Sequence, residues 1–355
     1  MRVLIAGGGV AGAAAACLLG PGCTLVEREA GAHDKICGEF LSVEAAGYLR
    51  RLGVDPVALG AVPVERVRLV HRDRVAEARL PFAALGLSRR VLDAALLERA
   101  ATLGATVLRG HSVRLEGGVP SVAGLGRFPG HALFLATGKH DLRGARREPE
   151  RAPEDLVGLK MYLRLEAGQA AALAGSVEVI LFEGGYGGLQ AVEDGGVNLC
   201  LLIERAVFAR CGESWDGVQS MLEAESAHLR ERLRGAVRLL ERPLAIFRVP
   251  YGFVHRGTET DTMFRLGDQA VVIPSFSGDG VSMALHSAFR AAAALPGGAP
   301  GYHRRLRRDV AGQVGRAWTL YRAGRMAPGL TVAGARLWPG AMRWAARLTR
   351  VPVVA

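Results

Sequence analysis

The chain opens with a short apolar run from Val3 to Ala6, followed by a glycine turn from Gly7 to Gly12. An alanine-rich segment then runs from Ala13 to Leu19, and a second apolar run from Cys23 to Val26 ends on Glu27 and Arg28. Strand, turn, helix and strand in that order predict a βαβ unit, and its right-handed crossover makes the sheet parallel. Val91, Leu92, Ala95, Leu96 and Arg99 follow helical spacing, with Ser88 as N-cap and Gly104 as the stop. A further apolar strand, His131 to Ala136, ends on Thr137 and Gly138.

The middle of the chain changes character. Segments 157–165, 177–183 and 197–203 are apolar or alternating. Glycine-rich turns separate them at Gly184, Gly185, Gly187, Gly188, Gly195 and Gly196. That pattern predicts an antiparallel sheet. A helical stretch is expected from about Ser214 to Leu240. Later, Phe264 to Leu266 leads into Gly267 and Asp268, and Ser277–Gly278–Asp279–Gly280 precedes a helix from Val281 to Leu295. Sheet segments thus fall between the parts of a nucleotide-binding fold, so the domains interleave.

Half of the 355 residues are hydrophobic, enough for a large core and either two domains or one long composite domain. Five cysteines without a CxxC pair argue against a disulfide framework or a zinc site and point to a reducing cytoplasm. No charge occurs from Val3 to Val26, but seven glycines and prolines break the run, which argues against a secretory or membrane-spanning segment. The net charge of +11 sits in the tail: residues 301–355 hold eleven arginines against one acid, Asp309. A nearly neutral body is not built for nucleic acid. The nine histidines show no ligand or triad spacing, and no metal site, nucleophile elbow or Walker loop is present.

The segment from Gly7 to Gly12 fits GxGxxG, with Ala11 before the last glycine. Gly7, Gly9 and Gly12 permit a tight turn and close approach of the backbone to a pyrophosphate, which the following helix N-terminus stabilises. Glu27, next to Arg28, is placed to accept hydrogen bonds from ribose hydroxyls. The late segment narrows the dinucleotide to FAD. Asp268 at a strand end can hold a polyol hydroxyl. The helix opened by Gly278 and Gly280 can stabilise charge on a reduced flavin ring. The expected fold is therefore α/β. A Rossmann-like FAD-binding domain takes residues 1–62, 86–150 and 256–300, and an interleaved antiparallel β-sheet substrate domain takes 63–85 and 151–255. A C-terminal helical segment takes 301–355.

Four segments carry a resemblance: GGGVAG with LVERE, KICGEFLS (Lys35 to Ser42), LSRRVLDAALLERA (Leu87 to Ala100), and RLGDQAVVIPSFSGDGVSMAL (Arg265 to Leu285). With these, the chain resembles the geranylgeranyl reductase-like branch of the FAD-dependent oxidoreductases that share the p-hydroxybenzoate hydroxylase fold. The resemblance implies that Ala11 and Glu27 contact the ADP half of FAD, and that Cys37, Gly38 and Phe40 lie along the flavin. It implies that Arg89 reaches the phosphate or ribose region and Asp268 the ribitol chain. Gly280 and Val281 would meet the isoalloxazine edge, and Arg28, Gly138 and Gly278 belong to the same cofactor set.

Reductases of this branch carry a Tyr-x-Trp-x-Phe-Pro stretch, where this chain reads Tyr186-Gly187-Gly188-Leu189-Gln190-Ala191. The Trp-x-Trp-x-Ile-Pro signature of the related halogenases is absent, and Gln269-Ala270-Val271 follows Asp268 where aromatic hydroxylases carry Ala-Ala and a histidine. The expected activity is that of a FAD-dependent monooxygenase acting on a bulky hydrophobic metabolite such as a polyketide, phenolic or lipid-like compound. NAD(P)H or a separate flavin reductase would supply electrons. Flavin-dependent C=C reduction of the geranylgeranyl reductase type is the alternative, and a non-catalytic flavin- or lipid-binding protein is a further one. Beyond the flavin itself, the catalytic candidates are Cys37, Glu39, Tyr251 (in the segment Arg248 to Gly252) and Asp279. Each has a plainer reading, as pocket lining, loop ion pair, core tyrosine and N-cap respectively. In the tail, Arg343, Arg347 and Arg350 fall on one helix face beside a stripe of Ala341, Trp344 and Leu348. That arrangement suits peripheral contact with an anionic membrane or packing over the substrate pocket.

Overall fold

The structure, a computed structural model, describes residues 2–128, 130–148, 155–247, 250–257 and 261–353. The boundary near 150 and residues Arg248 and Val249 of the Tyr251 segment lie outside the described residues. The opening apolar runs form the centre of a five-stranded parallel sheet. Val3–Ala6 lies between Cys23–Glu27 and Ala132–Leu135, with Thr106–Arg109 and Met263–Arg265 at the edges. Val3–Ala6 and Ala132–Leu135 are buried along their whole length, as a parallel sheet covered on both faces requires. Val3 and Ile5 point to one core, with the helices Val10–Leu19, Arg89–Thr102 and Gly280–Ala294. Leu4 and Ala6 point to another, against Val113 and Val122 of a small three-stranded sheet. Ala13 to Ala16 have no exposed surface, so the first helix sits close to the sheet. Ser88 caps the second of these helices through its Oγ, which accepts from the Val91 N–H at 3.2 Å.

The second sheet has nine strands. Leu156–Arg164, Val197–Glu204, Gly185–Ala191 and Ser176–Phe182 run antiparallel in that order. Ser176–Phe182 then pairs in parallel with Val62–His71, so the sheet is mixed, whereas the sequence pattern predicts an antiparallel one. The crossover from the early hairpin at Val62–Gly86 imposes this. The stretch expected as a glycine turn is a central strand, Gly185–Ala191. Its glycines erase the hydrophobic alternation but fit the packing: a Cβ at Gly187 would lie 2.3 Å from Leu201 Cδ2.

The helix expected from Ser214 to Leu240 is two helices, Trp215–Glu225 and Ala227–Leu233. Ser226 breaks it by taking an extended conformation and capping the second helix. Both helices cover the outer face of the second sheet around Trp215, Val218, Leu222 and Leu229. Phe40–Leu41 pairs with the strand Arg74–Gly86, which ties the loop of residues 35–39 to this sheet. The tail forms three helices, Ala299–Met326, Pro328–Leu337 and Pro339–Leu348. Arg350 falls beyond the last of them, so it does not share a helix face with Arg343 and Arg347. Among the described residues no helix is long and apolar enough to cross a membrane.

Candidate active site

The glycine turn leaves the Val3–Ala6 strand with Gly7 at φ +107°, a conformation open to glycine. A Cβ at Gly12 would lie 1.9 Å from the Gly7 carbonyl oxygen, so the turn closes only with glycine there. A Cβ at Gly9 would lie 3.2 Å from Arg89 Nη2 and 3.5 Å from Lys35 Nζ. Two cations thus flank a helix N-terminus, a donor set suited to an anion such as a diphosphate. Both are held by Asp93: Arg89 through paired bonds of 2.9 Å, and Lys35 at 2.9 Å. Burial would lift the Asp93 carboxyl, but Arg89 and Lys35 hold it below the usual range. Glu27 Oε2 accepts from the Gly8 N–H at 2.7 Å and Oε1 from the Glu29 N–H at 3.1 Å, which fixes the carboxylate at the end of its strand. These residues fit the ADP half of a dinucleotide.

The loop of residues 35–39 is pinned from beneath. Its successive carbonyls accept from Lys160 Nζ (on Lys35 O, 3.0 Å), Lys139 Nζ (on Ile36 O, 2.9 Å) and Asn198 Nδ2 (on Cys37 O, 2.9 Å). Glu39 stands at φ +61°, a strained conformation for a residue with a side chain. Its Oε1 accepts from the Arg89 N–H at 2.7 Å, Lys160 Nζ at 2.6 Å and the Tyr162 hydroxyl at 2.6 Å, and its Oε2 accepts from Asn198 Nδ2 at 2.9 Å. Glu39 and Lys160 side chains are both fully buried. Burial pushes the Glu39 carboxyl upward against the pull of Lys160, Tyr162 and the Arg89 N–H. Four donors on one sealed carboxylate make Glu39 the anchor of the loop, in keeping with its ion-pair reading.

Above this loop lies a cavity of about 500 Å³. The second sheet forms one wall through Val67, Leu69, Val177, Val179, Gly188 and Leu202, and the tail helices form the roof through Ala341, Met342 and Ala345. The Tyr186 and Tyr251 hydroxyls both hydrogen-bond Ser275 Oγ, at 2.6 and 2.8 Å. Burial pushes the Tyr186 phenol up to about 12 and the Tyr251 phenol well above its usual value, so both stay protonated at neutral pH. Asp279 precedes the helix Gly280–Ala294 but does not cap it, in contrast to the plain reading of its position. Its side chain turns instead to Arg350, whose Nη2 lies 2.9 Å from Oδ1.

The cavity gathers Cys37, Gly38, Glu39, Phe40, Tyr251, Asp268, Gly278, Gly280 and Val281 from distant parts of the chain. Gly7, Gly9, Ala11, Gly12, Glu27 and Arg89 form the adjoining cradle. Gly267, next to Asp268, joins the two motifs, since a Cβ there would lie 3.1 Å from Ala11 Cβ. Arg28 points to the surface beside Glu29 and His140, and Gly138 gives its carbonyl to Gln269 Nε2 at 2.8 Å. Neither lines the cavity. Sequence reasoning missed Lys139, Lys160, Tyr162, Asn198, Ser275 and Arg350. A usable signal was present for two of them: the chain has only three lysines among 45 basic residues, and all three serve the loop of residues 35–39 or the Arg89 cluster beside it.

No protein-family model matches the chain, and no curated protein is significantly similar to it in sequence. Solved structures are similar in fold. A flavin-dependent brominase superposes with TM-score 0.80 at 17 % identity, over 98 % of this chain and 93 % of that one. A geranylgeranyl bacteriochlorophyll reductase-like protein from Thermoplasma acidophilum gives 0.74 at 17 % identity, over 99 % and 93 %. PqsL of P. aeruginosa, in complex with 2-aminobenzoylacetate, gives 0.68 at 16 % identity, over 98 % of each chain. The chain therefore shares its fold with a flavin-dependent brominase and with a geranylgeranyl bacteriochlorophyll reductase-like protein.

Proposed function

We propose that this chain is a FAD-dependent oxidoreductase, and specifically a monooxygenase that acts on a bulky apolar metabolite bearing a hydroxyl or carbonyl group. The observation that carries this is the apolar cavity of about 500 Å³. Its floor is built from the residues that the family resemblance lays along the flavin: Cys37, Gly38, Phe40, Gly280 and Val281. FAD, when bound, supplies two-electron redox chemistry at this floor. The chain's own residues do the rest. Arg89, Lys35 and the first helix N-terminus bind the diphosphate. The network around Glu39 fixes the floor loop. The roof of Ala341, Met342 and Ala345 keeps water from the reacting face. The Tyr186–Ser275–Tyr251 hydroxyls orient the polar group of the substrate and hold a proton at the cavity wall.

C=C reduction is the second reading, since two protonated phenols can deliver a proton to a reduced carbon. Oxygenation is favoured because Gly188 and Gln190 stand where the reductases carry tryptophan and phenylalanine, which reshapes the pocket those enzymes use. The test is turnover of a phenolic polyketide panel by FAD-loaded, photoreduced protein under ¹⁸O₂. One labelled oxygen in the product supports oxygenation. Anaerobic saturation of an alkene without labelled product would overturn it, and protein that takes up no FAD would overturn both readings.

A further inference from the structure

We propose that the outer face of the tail helices docks on an anionic lipid bilayer and that the cavity opens into this face. Among the described residues no large hydrophobic side chain is more exposed than Leu337, at 89 %, and Met326, Leu330 and Trp338 follow at 77, 77 and 65 %. Trp344 adds 58 %. These five lie within one short stretch of chain. Packing does not require them outside. On the helix Pro328–Leu337, Val332 and Ala335 are buried and anchor it. Leu330 and Leu337, seven residues apart, fall on the opposite side. On Pro339–Leu348, Ala341, Met342, Ala345 and Ala346 line the cavity, which turns Arg343, Trp344 and Arg347 outward.

The charge of this face selects the occupant. Arg322, Arg336, Arg343 and Arg347 are exposed around the apolar residues, and no acid follows Asp309. A nucleic acid would pair with the arginines and leave leucine and tryptophan in water. A second copy of the face would bring arginines against arginines. A bilayer with anionic headgroups takes both components, with arginine at the headgroups and tryptophan and leucine at the acyl boundary. Leu330 and Gly334 are exposed and also line the cavity, so the mouth lies within the docking face. An apolar molecule can then pass from the acyl phase to the cavity without crossing water. This extends the proposed function by naming the lipid phase as the source of the substrate. The docking itself rests on the exposed face and not on the redox step.

The test is co-sedimentation of the full FAD-loaded, oxidised protein with vesicles of phosphatidylglycerol and phosphatidylcholine in equal parts, against phosphatidylcholine alone. Binding to the anionic vesicles should be about tenfold tighter or more at low salt. The double variant Leu337→Ser with Trp338→Ser should lose about tenfold in partitioning, with flavin spectrum and Tm unchanged because both side chains are exposed. Wild-type tryptophan emission should shift to the blue on binding, and Trp338→Phe with Trp344→Phe should abolish the shift. Failure to bind anionic vesicles would overturn the proposal. So would undiminished binding of the serine variant, or a dimer in light scattering that this variant dissociates. No turnover is measured, so loss of docking leaves the proposed reaction standing, and a failed oxygenation assay leaves docking standing.

Discussion

Arg350, two residues past the last helix, places Nη2 3.0 Å from Asp279 Oδ2 and 2.8 Å from the Ser277 carbonyl oxygen. It thereby clamps the tail onto the segment that opens the helix Gly280–Ala294. Burial raises the Asp279 carboxyl to about 7, and Arg350 offsets only part of that rise. The folded protein therefore holds a proton that the unfolded chain releases. For a carboxyl raised in this way, stability is fully present below the ordinary carboxylate pKa and is lost as pH rises through about 7. Tm should accordingly fall between roughly pH 4 and 7. Arg350→Met removes the offset, so the protonation midpoint of Asp279 should move above its wild-type value. Infrared titration of the protonated carboxyl band reads this directly, and an unchanged midpoint would show that Arg350 does not sense the carboxyl.

Lys160 uses all three of its ammonium donors, on Lys35 O, Glu39 Oε1 and Tyr162 Oη. Removing one partner of such a buried pair leaves a charge without compensation. Lys160→Met should cost about 3–5 kcal/mol in chemical denaturation. Lys160→Arg should also destabilise, because a planar guanidinium cannot replace a compact point of three donors. Adding Glu39→Gln to Lys160→Met should recover part of the loss by neutralising the stranded carboxylate. A double variant no more stable than the single one would refute this account of the network.

The parallel sheet and its glycine turn were legible because parallel strands buried on both faces read as uninterrupted apolar runs, as Val3–Ala6 and Ala132–Leu135 do. The caps were legible for a local reason: Ser88 bonds three residues ahead, within its own turn. The strand Gly185–Ala191 was not, since its registry comes from two neighbouring strands and its glycines carry no pattern. The Glu39 network was hidden in the same way. Glu39, Lys160 and Asn198 are joined only by the pairing of Leu156–Arg164 with Val197–Glu204 and by the loop above them. Arg350 read as a helix-face residue because the helix end at Leu348 leaves no strong local mark.

The nucleotide cradle is testable without substrate. Gly12→Ala forces a methyl group against the Gly7 carbonyl oxygen, a contact that requires the turn to open. FAD content after purification should drop to near zero while secondary structure by circular dichroism persists. Arg89→Met removes a cation from the diphosphate side and breaks the pair with Asp93, so FAD affinity should fall about tenfold or more. A variant that retains FAD as tightly as wild type would remove Arg89 from the cofactor set.

Gly188 belongs to the central strand Gly185–Ala191 of the second sheet and lines the cavity. It sits on the cavity wall opposite Cys200 and Val179, and a Cβ there would meet nothing within 4 Å. Its neighbour Gly187 has no such room, so the strand is open on one face only. Gly188→Trp should therefore fold and bind FAD normally while filling a large share of the roughly 500 Å³. Binding of a bulky apolar probe such as Nile red, followed by its fluorescence, should weaken about tenfold, which corresponds to about 1.4 kcal/mol. Gly187→Trp should instead destabilise the protein, because its side chain would enter the Leu201 core. Equal Nile red affinity in wild type and Gly188→Trp would show that bulky ligands occupy some other surface and that Gly188 does not set the size of the substrate.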